Sequence, residues 1–163
     1  MASSGNVSAL LKQLSSASQT LSEASNKLTE QIKEIEASLA SYNLGVVAWV
    51  KLRSTSEEVE AKDGTKYRLN RIDSLGYTKK NGKWGLCVSS QLEEFEDDFE
   101  WWLLRDAPRG LRILAVDGIP KLLEEMVNRA KQLTTEVKSK TDQAKALAHS
   151  LRGKPKKGND HAK

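Results

Sequence analysis

From Val7 onward the apolar positions recur with the spacing of an α-helix. Val7, Leu14, Leu21, Leu28, Ile35 and Tyr42 form one row, and Leu11, Ser18, Ser25, Ile32 and Leu39 form a second. Two such rows describe a helix with one narrow buried seam. Ser18 and Ser25 soften the second row. With Ser8, Ser15, Ser16, Thr20 and Ser22 they lower intrinsic helicity, because a serine hydroxyl competes for backbone hydrogen bonds. The first half of this helix is therefore expected to fray unless a partner helix covers it. The same pattern returns after Pro120, with Leu123, Ala130, Val137, Ala144 and Leu151 in one row and Met126, Leu133, Lys140 and Leu147 in the other. Proline suits a first helical turn, Glu124 and Glu125 suit the positive end of the dipole, and Gly153 and Pro155 supply a stop. At 1.5 Å per residue the two seams run about 50 Å and about 40 Å.

Between these helices the period changes. LGVVAWVKLR, residues 44 to 53, reads as a buried strand bounded by a Ser/Thr run. KYRLNRI, residues 66 to 72, follows the turn signal KDGT. In LGYTKKNGKWGLCVSS, residues 75 to 90, Asn81-Gly82 supplies the positive φ angles of a type I′ hairpin. Three to five antiparallel strands are predicted, with Val47, Trp49, Leu69, Tyr77, Trp84 and Leu86 facing the helices. Further on, Asp106 is a plausible N-cap and Pro108 fits a first turn. Leu111, Leu114 and Ala115 share a face, so a short separate helix is expected to end in a kink at Gly118 to Pro120.

The fold class is thus α+β: a small antiparallel β-sheet head between two long amphipathic helices that form an antiparallel coiled-coil-like hairpin, plus one short helix. The expected boundaries are 1–43 for the first helix, 44–118 for the head, 119–151 for the last helix and 152–163 for a basic, disordered tail. Every Trp and Phe lies between residues 45 and 102. That concentration places the head's core in the middle segment.

Charge and composition narrow the chemistry. The tail RGKPKKGNDHAK holds Arg152, Lys154, Lys156, Lys157 and Lys163 against Asp160, which accounts for the whole net charge of +4. Any affinity for a polyanion such as nucleic acid is therefore expected only through this tail. The single Cys87 excludes an intramolecular disulfide and a CxxC zinc or redox motif, and points to a reducing, cytoplasmic setting. The N-terminus has no signal-peptide pattern, and no segment approaches the length of a membrane span. The two histidines, His149 and His161, fall outside the aromatic middle. No base is thereby placed beside Cys87 or a serine. NGKWG lacks the spacing of a phosphate loop.

One stretch remains, EEFEDDFEWW at residues 93 to 102. Its carboxylates lack the ligand order and central glycine of a calcium loop. As a strand, it would set Phe95, Phe99, Trp101 and Leu103 on a buried face and Glu94, Glu96, Asp98 and Glu100 on a charged one. That acidic strip is a solvated edge, a surface for a basic protein partner, or a site for a hard cation. The reading that follows is a non-enzymatic protein–protein interaction or assembly module without cofactor or resident metal. It is expected to be oligomeric, binding a protein partner or itself through the helical seams, with no membrane role. Its partner-binding surface would be Glu94, Glu96, Asp98 and Glu100. The alternative is non-specific nucleic-acid association through Arg152, Lys154, Lys156 and Lys157.

Overall fold

The structure is a computed structural model that describes residues 4–93 and 99–152. Helix α1 (Ser4–Ser41) leads into a four-stranded antiparallel meander of β1 (Ala48–Glu60), β2 (Lys66–Lys80), β3 (Lys83–Leu92) and β4 (Phe99–Leu103). A 3₁₀ turn at Leu104–Asp106 then precedes helix α2 (Arg109–Arg152).

The strands follow from turn chemistry and cross-strand pairing. Asn81 and Gly82 adopt φ of 51° and 81°, as a two-residue hairpin between β2 and β3 requires. At the KDGT turn Gly64 takes φ of 83°, and the Ala61 N–H donates to the Thr65 carbonyl at 2.8 Å. β1 does not stop at its Ser/Thr run, and the two β2 segments expected as separate runs are one strand. The reason is charge matching: Glu58 and Glu60 stand opposite Arg68 and Lys66, and the Lys66 ammonium lies 3.3 Å from Glu58. The outer part of this hairpin extends past the helices as an exposed arm.

Register decides which residues meet the helices. Val50, Leu75, Val88 and Trp102 form one row across all four strands, and Ala48, Tyr77 and Leu86 form the next. These rows belong to a core closed by Ile32 and Leu39 of α1 and by Ala115, Ile119, Leu122 and Met126 of α2. Tyr77 and Trp84 stack with ring centroids 5.5 Å apart. Val47 and Trp49, expected to face the helices, lie on the other face. The run LGVVAWV is apolar at both parities, so alternation alone could not assign its sides. On that open face Trp49 lies over Gly76, where an added Cβ would come within 2.4 Å of the indole.

The antiparallel coiled-coil-like hairpin is not formed. Arg112 near the start of α2 donates to Ser25 Oγ, at 2.9 Å, and to Thr29 Oγ1 of α1. The segment after α1, Gly45 to Val47, lines a recess with Arg129, Gln132, Leu133 and Glu136 of α2. Both helices therefore cross one sheet face in the same sense, α1 mainly over β3 and α2 over β1 and β2. Their remaining halves leave opposite ends of the sheet and cannot cover each other. Within α1 Ser25, Ile32 and Leu39 of the serine-softened row are buried beside Glu36, Leu28 and Ile35 of the unbroken row are half-buried against the core, and Tyr42 at that row's end is 69 % exposed.

The short separate helix is likewise absent, since α2 runs unbroken through Pro120. Gly118 is a packing position: a Cβ there would meet Leu52 Cδ2 at 2.3 Å and Leu75 Cδ2 at 3.4 Å. A proline inside a helix costs about 3 kcal/mol. Burial of Ile119 and Leu122 on either side of it, at about 1.5–3 kcal/mol each, offsets that cost.

The Trp49–Gly76 contact makes a testable case. Gly76→Ala should destabilise the chain by about 1–3 kcal/mol, because the indole must leave its seat. Denaturant titration followed by tryptophan emission should show a lower midpoint and a red-shifted native spectrum. An unchanged midpoint would contradict the packing described.

Candidate functional site

The expected partner-binding carboxylates do not form one described surface. Glu94, Glu96 and Asp98 lie outside the described residues. Glu100 is exposed on β4, paired with Ser90. Alternation within β4 is as expected, but its faces are not. Phe99, Trp101 and Leu103 align with Gln91, Ser89 and Cys87 on the open face, where Phe99 stays 45 % exposed. Trp102, on the parity of Glu100, is the ring that packs against the core. In the tail, Arg152 is the exposed last residue of α2, and Lys154, Lys156 and Lys157 lie outside the described residues. Among the described residues no three His, Cys, Asp or Glu side chains gather as a metal-holding group, and no helix is long and apolar enough to cross a membrane.

Two other features carry functional potential. The first is the pair of free helix halves. Every residue from 6 to 24 and from 131 to 152 is exposed. The stripe that packs on the sheet nevertheless continues along both halves. In α1 it presents Val7, Leu11, Leu14 and Leu21 at 50 to 66 % exposure, and in α2 Leu133, Val137, Leu147 and Leu151 at 44 to 79 %.

The second feature is a cleft at the edge of β3. β4 pairs only with Cys87 to Gln91, so the first residues of β3 have no β4 neighbour. α1 supplies a substitute there. Glu36, one turn beyond Ile32 and 8 % exposed, accepts the Leu86 N–H at 3.1 Å and lies 3.5 Å from the Arg105 guanidinium. An added methyl at Gly85 would sit at ordinary contact distance from the carboxylate, 3.4 Å from Glu36 Oε1. Burial pushes the Glu36 pKa up, with Arg105 and the Leu86 N–H acting against it. Beyond Glu36 opens a cleft of about 400 Å³ lined by Lys80, Asn81, Lys83, Trp84, Gly85, Leu103 and Arg105. Behind it, burial raises the Cys87 thiol to about 11, with Lys80 lowering and Glu36 raising it. Cys87 is fully buried, the setting of a small hydrophobe.

Sequence reasoning missed Glu36, Arg105 and Arg112. For Glu36 a signal was present: a carboxylate one position from the seam, between Ile32 and Leu39, is out of place unless it has a partner. No such signal marked the partner itself, because the Leu86 N–H becomes an orphan only through the early end of β4.

No protein family model, curated protein or solved structure matches this chain.

Three outcomes test the site as described. Glu36 has a raised folded pKa, so its stabilising contribution is present below the ordinary value of 4.5 and is lost as pH rises through the folded value. Glu36→Gln keeps an acceptor for Leu86 without a charge to bury. Its melting temperature should exceed the wild type's at neutral pH, with the gap closing on acidification. Glu36→Ala should instead lose about 1–3 kcal/mol at any pH, because the buried N–H is orphaned. Cys87 should react with a disulfide reagent roughly a hundredfold more slowly in the native chain than in denaturant, a difference that a thiol-release assay reads directly.

Proposed function

We propose that this protein is a non-enzymatic assembly module, a small α+β body that uses its two free helix halves to dock on another polypeptide. The observation that carries the reading is the continuation of the core-facing stripe past both ends of the sheet. A stripe already matched to apolar packing on one half stands open to water on the other. Exposed apolar residues aligned along one helix face mark interaction surfaces more often than scattered exposed leucines do. A helix-in-groove or helix-on-helix contact reads such anchors at i, i+3, i+4 and i+7. Burying each exposed leucine would contribute about 1.5–3 kcal/mol before the costs of association.

The basic character of the tail supports a second reading, nucleic-acid association. It extends into α2, where Lys131, Lys138, Lys140, Lys145 and Arg152 outnumber Glu136 and Asp142. Such binding would be non-specific and would weaken steeply with added salt.

The double substitution Leu14→Glu and Leu21→Glu separates the docking reading from a merely structural role. Both side chains are exposed, so the melting temperature should stay within a few degrees of wild type. Light scattering across a concentration series should show wild-type self-association, or a native pull-down should recover a protein that the variant loses. A strict monomer whose pull-down is identical for wild type and variant would remove the assembly reading.

A further inference from the structure

We propose that the cleft beyond the end of β4 binds a small organic acid, its carboxylate held between Lys83 and Arg105 and its apolar body against Trp84 and Leu103. Charge is the first argument. The lining carries three cations against one carboxylate, Glu36, which already faces Arg105. Asp106, 3.8 Å from the Arg105 guanidinium, is a second acid nearby. The Lys80 ammonium is already engaged on the open face, 3.9 Å above the Trp101 ring and 3.4 Å from its carbonyl, and its cross-strand partner Lys83 stands on that same face beside Leu103 at the β3 edge. Lys83 lines the cleft, is exposed and makes no ion pair among the described residues.

Backbone direction is the second argument. Lys80 and Lys83 flank a two-residue turn, so Lys83 directs its N–H and C=O toward β2. Trp84 and Leu86 then direct theirs to the opposite side. At Leu86 the direction is seen in its hydrogen bond to Glu36. The Trp84 N–H is aimed the same way, two residues nearer the turn and beyond the last β3 residue that β4 pairs. A donor N–H beside a lysine and an arginine is a setting that favours a carboxylate. Shape agrees: at about 400 Å³ the recess falls in the range of small-molecule sites, and it offers an indole and a leucine beside its polar groups.

This inference is independent of the assembly reading, since none of these residues lies on the free helix halves. The test is an NMR titration of the ¹⁵N-labelled full chain with benzoate, run beside phenyl phosphate, inorganic phosphate and benzamidine. Benzoate should give saturable shifts confined to the amides of Asn81 to Gly85 and the Trp84 indole, and benzamidine should give none. Lys83→Glu should weaken benzoate binding at least about tenfold. Lys62→Glu, the same charge change on the exposed arm, should leave it unaltered. Lys83→Gln should fall between. Retention of the native spectrum elsewhere shows that these variants fold. Absence of saturable benzoate shifts, equal binding to Lys83→Glu, or equal shifts from inorganic phosphate would overturn the site. Saturation by phenyl phosphate alone would overturn the carboxylate assignment.

Discussion

The architecture depends on a mismatch of length. Helices of 38 and 44 residues, about 57 and 66 Å long, pack on a sheet face whose apolar rows span only about six residues of strand, about 20 Å. Only the C-terminal half of α1 and the N-terminal half of α2 can be covered. Because both helices cross in the same sense, the uncovered halves emerge at opposite ends. An antiparallel hairpin would have let each seam cover the other along its length. The same-sense crossing closes that solution within one chain and leaves two apolar strips facing water.

A second constraint follows at the edge of the sheet. β4 is half the length of β3, and the exposed backbone it leaves must find partners. α1 answers with Glu36, whose burial is tolerable only because Leu86 and Arg105 compensate it. Thus one side chain fixes α1 against β3, balances the turn after β4 and forms the inner wall of the cleft. The packing that secures the fold is the packing that shapes the candidate ligand site.

Much of this order was legible in the sequence. Two long helical patterns flanking strands, the Asn81-Gly82 hairpin and the alternation of β4 all appear in the structure. What was not legible shares a cause. The seam of α1 has no feature that says whether a helix or a sheet will cover it, and Ser25 in that seam looked like weakness until Arg112 reached it. Gly118 and Pro120 carry the local marks of a helix end, yet close approach to Leu52 outweighs them. Faces of the apolar run at Val46 to Val50 were undetermined because both parities were equally apolar. In each case a contact distant in sequence decides between locally equal alternatives. The cleft is the extreme instance, since it exists only where one strand ends early.

The serine content of α1 bears on how its free half stays helical. An isolated helix of this composition would be marginal, because forming the first turn fixes several residues for one hydrogen bond. Here that first turn is supplied by the docked half, from Ser25 to Leu39, so the free half has only to propagate. Propagation is nearly neutral for such residues. Covering Leu14 and Leu21 would therefore stabilise helix and contact together. The low propensity of this segment makes its helicity responsive to occupancy, whereas the packed halves hold theirs through the core. Association and local folding would then be coupled in α1, and the body formed by the sheet would stay the same in either state.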